Sequence, residues 1–131
     1  MSILRLAAQG TTVADTELAI GWDVASRDLS ALGLENAIAA VEDELARVHA
    51  SLVKGGALLT DDATIRDIAL AAGVHASAEM TLSVEAVEQM FQRLAARAPG
   101  LPAGREFAGK LLILRELMHH LAFPSIVIRA V

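Results

Sequence analysis

The stretch that most limits the fold is residues 105–131, REFAGKLLILRELMHHLAFPSIVIRAV. Phe107, Leu111, Leu114, Met118 and Leu121 recur at the three- and four-residue steps of one helix face. Arg115, Glu116, His119 and His120 share a polar arc of the same helix, yet Leu112 sits in the middle of that arc and Ile113 at its edge. A leucine inside a charged arc implies that something covers that face. A second subunit or the terminal segment would do so. Pro124 ends the helix, and SIVIRAV reads as a short, largely buried terminal strand.

Composition points the same way. Apolar residues make up 54% of the 131 residues, against about 45–50% in ordinary soluble domains. A single domain of this length with surplus apolar surface is expected to bury it against another copy of itself. The expectation is therefore one domain over residues 1–131, self-associating through the last helix.

The remaining pattern alternates between strand and helix periods. Residues 2–8 and 16–24 alternate apolar and polar side chains and suggest an antiparallel hairpin. Leu34, Ile38, Val41, Leu45, Val48 and Leu52 form one seam, predicting a helix over residues 34–54 with an Asp43–Arg47 pair, stopped by Gly55 and Gly56. Residues 57–59 suggest a short strand. Thr60 or Asp62 can cap a following helix that Gly73 ends. Val74, Ala76, Ala78 and Met80 alternate with His75, Ser77 and Glu79 and predict a strand. Ser83 caps a further helix with the seam Val84, Val87, Phe91, Leu94 and Ala98, broken by APGLPAG. The fold class that follows is a two-layer α+β domain, with a small, mostly antiparallel sheet and three to four helices packed on one face.

Charge and motifs exclude more than they select. The net charge is −5, with 16 acidic and 11 basic residues and no basic cluster, which argues against nucleic acid and anionic membrane surfaces. The absence of cysteine removes disulfides, thiolate metal sites and cysteine nucleophiles. No apolar run approaches the length of a membrane span, and the N-terminus is a poor signal peptide, so a cytoplasmic protein is expected. No P-loop, dinucleotide fingerprint, H-E-x-x-H or EF-hand loop occurs, so no cofactor is implied.

Two sets of residues could carry chemistry. Glu116 lies three residues before His119 and four before His120, both spacings that bring side chains to one helix face. Glu-x-x-His is the half-site of carboxylate-bridged metal pairs in helical bundles, but it occurs once here. Histidines in the last turn also suit the negative end of a helix. The second set is the row His75, Ser77 and Glu79, where in-strand spacing is too wide for a nucleophile–base contact. His75, Glu116, His119 and His120 are thus the candidate ligand-binding residues, and no catalytic constellation emerges.

One local resemblance stands beside these. ATIRDIALAAGV, residues 63–74, resembles the first helix and turn of the lactose-repressor family headpiece, whose run is T-I-x-D-[VI]-A-x-x-A-G-V. That resemblance would imply DNA binding through a helix-turn-helix at 63–82. The chain departs from it at HASAEMTLS, where Glu79 replaces a packed aliphatic and no arginine follows. The leading expectation is therefore a small self-associating accessory or interaction protein without catalysis. The alternative is a small enzyme or a ligand- or metal-binding protein that uses Glu116 with His119 or His120.

Overall fold

The computed structural model describes residues 1–52 and 54–131. Strand β1 (Ser2–Leu6) pairs antiparallel with β2 (Thr11–Val13), which pairs antiparallel with β3 (Thr16–Leu18). Two helices follow, α1 (Trp22–Ala25) and α2 (Ala31–Arg47). Strand β4 (Leu58–Thr60) then pairs parallel with β1, Ser2 opposite Leu58. Next come α3 (Ala63–Ala71), β5 (Met80–Ser83), α4 (Val84–Ala95) and α5 (Arg105–His120). Strand β6 (Ser125–Ile128) closes the chain, parallel to β4 and antiparallel to β5.

The sheet therefore has six strands in the order β3-β2-β1-β4-β6-β5, with a parallel centre and antiparallel edges. This corrects the expectation of a small, mostly antiparallel sheet with three to four helices, since five α-helices occur among the described residues. The expectation failed because β1, β4 and β6 meet only through long crossovers, which strand periodicity does not encode. The chain steps from β1 to β4 to β6 in one direction. Right-handed crossovers then place α2 and α5 on one face, and the two helices touch.

Several elements differ locally from expectation. The span 16–24 is not one strand. β3 ends at Leu18, and Trp22 begins a short helix whose first amides donate to Ala7 and Ala8 carbonyls. The tight turn lies between β2 and β3, where Ala14 takes a positive φ of 54°. Helix α2 starts at Ala31, capped by Ser30, and ends at Arg47 before a short 3₁₀ turn, His49–Ser51. Of the helix expected to residue 54, residue 53 lies outside the described residues. Arg47 pairs with Glu44 rather than Asp43. Asp62, not Thr60, caps α3. The expected strand over 74–80 is an exposed loop tied by Arg66 to the Ser77 carbonyl, and β5 begins only at Met80. Two of its four apolar positions are alanines, Ala76 and Ala78, whose burial would have contributed little. With a loop and then a strand before Val84, residues 63–82 cannot form a helix-turn-helix.

Helix α5 is the centre of the molecule. It packs on α1, α2, α3 and α4, and every residue from Phe107 to Met118 except Arg115 is buried. Leu112 and Ile113 are fully covered within the single subunit. What covers the leucine in the polar arc is thus the rest of this chain. Gly109 faces the Trp22 carbonyl so closely that a Cβ would overlap it. That contact brings α1 and α5 together. Among the described residues, no buried side-chain nitrogen or oxygen lacks a hydrogen-bond partner.

Gly109 gives a test in which packing and propensity oppose each other. Gly109→Ala should gain up to about 1 kcal/mol in helix propensity but lose more to overlap, for a net destabilisation of about 1–3 kcal/mol. Urea denaturation measures it, and a more stable variant would contradict the packing described.

Candidate metal centre

Three side chains from two helices converge at the C-terminal end of α5. The buried seam of α2, Leu34, Ala37, Val41 and Leu45, turns Glu42 along the edge of its contact with α5. Glu116 and His120 lie one turn apart on α5. His120 Nε2 is 3.2 Å from Glu42 Oε2 and 3.4 Å from Glu116 Oε1. One donor atom from each of the three residues falls within 4.8 Å of the others.

The geometry suits a cation. Two ligands on a tetrahedral ion with bonds of about 2.0–2.1 Å lie about 3.3 Å apart. The donor set, one imidazole nitrogen and two carboxylate oxygens, matches zinc, manganese or ferrous iron better than soft metals. Three protein ligands would leave a further position open, as in catalytic rather than structural sites. Without a cation, the same groups form an ion pair whenever His120 is protonated.

A second layer holds Glu116 in place. Its side chain is only 5% exposed, and Arg115 Nη1 donates to its Oε2 at 2.8 Å. Arg115 also grips Glu88 on α4 through Nε at 2.6 Å and Nη2 at 3.3 Å. Its guanidinium lies 4.4 Å from the centroid of the Phe91 ring, close enough for a cation–π contact. Hydrogen bonding to Glu88 raises the Arg115 pKa against the opposing effect of burial. The same bond, as the largest cause, holds the Glu88 carboxyl below its ordinary value.

The candidate residues separate in space. Glu116 and His120 meet, and Glu42 joins them. His119 does not, so the Glu-x-x-His spacing is not the one used. The rings of His119 and His120 stand edge to face at 5.4 Å. His119 turns instead to a cleft of about 510 Å³ shared with Glu85, Glu88 and Arg115. His75 lies on the exposed loop before β5, away from both. Glu42 was missed because its sequence neighbours Asp43 and Glu44 make it look like ordinary helix surface. Only the α2–α5 contact singles it out.

At the other end of α5 the polar groups satisfy one another. Lys110, 7% exposed at its side chain, donates at 2.8 Å to Asp62 and is 2.8 Å from Glu106. Burial opposes its charge, but the two carboxylates outweigh burial and raise its pKa. Asp62 also caps α3 through Thr64 N and Ile65 N. This end adjoins the C-terminal ends of the parallel strands, where open α/β sheets usually hold ligands. The Glu42–Glu116–His120 cluster lies at the opposite end, beside the loop leading into β4, where Gly55 N donates to Leu121 O at 2.7 Å.

The sequence matches no family model, and no curated protein matches it. Solved structures do share the fold. One is a PPX-GPPA enzyme of Aquifex aeolicus, at a TM-score of 0.72 and 11% identity over 98% of this chain and 52% of that one. Another is the type II variant of the Aquifex aeolicus Ppx/GppA phosphatase, at 0.73 and 12% over the same shares. The chain therefore shares its mixed six-stranded fold with part of those two proteins, and it spans about half their length. This corrects the expectation of a non-catalytic accessory protein. Its support was an uncovered face on the last helix, which is buried inside the subunit, and the two structures named above are of enzymes.

The clamp yields a pH test. A carboxyl lowered on folding contributes stability above its ordinary value, 4.5 for Glu88, and loses it as pH falls through the folded value. Stability should therefore hold from neutrality down to the ordinary carboxylate range and decline below it. Arg115→Met should make that acid decline shallower in urea melts from pH 7 to 3. An unchanged slope would mean that the clamp does not form.

Proposed function

We propose that this chain is a metal-binding domain of a hydrolytic enzyme, with Glu42, Glu116 and His120 as the cation's protein ligands. The single observation that carries the reading is the convergence of three ligating atoms, from two helices, within 4.8 Å. The fold's likeness to Ppx/GppA phosphatases supports hydrolysis of a phosphate compound as the reaction class.

Each residue has a distinct part. Glu116, buried and fixed by Arg115, is the rigid ligand. Glu42 and His120, each partly exposed, close on the cation from the solvent side. Arg115, anchored on Glu88, orients the Glu116 carboxylate as a supporting partner does for a metal ligand. A bound divalent cation would supply Lewis acidity to an oxygen in the open position.

Calorimetry with Zn²⁺ and Mn²⁺ tests the reading. The native chain should bind one equivalent, and at a hundredfold excess over Kd its Tm should rise by roughly 5–10 °C. Glu42→Gln and His120→Ala should each weaken binding by about tenfold or more. His119→Ala should leave it unchanged. No binding, or equal binding by the His120 variant, would overturn the assignment.

A further inference from the structure

We propose that the pocket beside the cluster is a binding site for a small oxyanion with an apolar body, a carboxylate- or phosphate-headed molecule. The inference rests on the metal reading and adds the ligand class. Glu42 and His120 form one wall of a pocket of about 300 Å³. Glu116 is buried at its side chain next to His120, while Glu42 and His120 line the pocket, so a cation held by the three would be reached from this pocket.

The rest of the wall has two chemistries. Leu45 and Leu121, both buried, and half-buried Leu52 give an apolar surface. His49 and Lys54 are exposed at the rim, and neither takes part in the ion pairs found among the described residues. Lys54 precedes Gly55 and Gly56, both at positive φ (71° and 81°), a conformation that favours glycine. The Gly55 N–H donated to the Leu121 carbonyl fixes this turn against the end of α5. Lys54 is thus held at the rim by backbone geometry.

Charge selects the ligand. Metal-free, Glu42 and Glu116 repel anions from the pocket. A divalent cation cancels those two charges, so Lys54 leaves the loaded site positive. An oxyanion then meets the cation on one side and the ammonium on the other, while its apolar part covers the leucines. Cation loading and anion binding are therefore coupled in this pocket.

Visible spectroscopy of the Co²⁺-loaded chain tests this, with acetate, butyrate and inorganic phosphate as probes. Each anion should perturb the cobalt bands saturably, and butyrate should bind on the order of tenfold tighter than acetate, because each of its two further methylenes, when buried, strengthens binding by roughly fourfold. Lys54→Ala should weaken anion binding roughly tenfold while Co²⁺ affinity stays within about twofold of native. If Co²⁺ binds but the anions leave its spectrum unchanged, or the Lys54 variant titrates like native, this inference fails and the metal reading stands. If Co²⁺ does not bind, both fail.

Discussion

The burial of α5 on all its sides is the constraint from which the rest of the molecule follows. Four helices share this one element, and its apolar residues lie on nearly the whole circumference. A helix in that position cannot leave a charge unpaired, because an isolated buried ion costs far more than a hydrogen bond returns. Each buried ionisable group on α5 therefore has a dedicated partner. Lys110 meets Asp62 and Glu106 at one end, and Glu116 meets Arg115 and His120 at the other. The polar ends tie α5 to α3, α4 and α2, while the leucines between them fill the core.

The two ends differ in a way that bears on chemistry. At the strand C-termini the buried Lys110 ammonium is shared by two carboxylates, Asp62 and Glu106, and Asp62 is further occupied as a helix cap. At the opposite end two carboxylates and one imidazole gather with a pocket beside them. That convergence of an imidazole with two carboxylates is the natural place for a cation. The ligand end of this chain is thus inferred from where carboxylates and an imidazole converge beside a pocket rather than from the customary ligand face of open α/β sheets.

The sequence made the helices more legible than the sheet. Seams in α2, α4 and α5 were visible because each repeats an apolar side chain over several turns, and Ser83 announced the start of α4. The strands are three to five residues long, too short for alternation to fix their boundaries. Their parallel order depends on crossovers between residues distant in the chain. The alternation at 74–80 misled because alanines at apolar positions bury little surface. Leu112 was correctly marked as a covered residue, but a sequence cannot say whether its cover comes from the same chain or another copy. Glu116 and His120 were legible from their spacing on one helix. Glu42 was not, since only packing of α2 on α5 brings it near. Lys110 likewise looked like an ordinary polar residue until Asp62 and Glu106 closed around it.

The central claim is that three specific side chains, and no others, surround a bound cation. X-ray absorption on the Zn²⁺-loaded chain tests it most directly. The account predicts a first shell of one imidazole nitrogen and two carboxylate oxygens at about 2.0–2.2 Å, completed by a further light atom. It also predicts that Glu42→Gln and His120→Ala each change that shell. A shell with two or more imidazoles, or one unaltered by either substitution, would place the metal elsewhere and contradict the account.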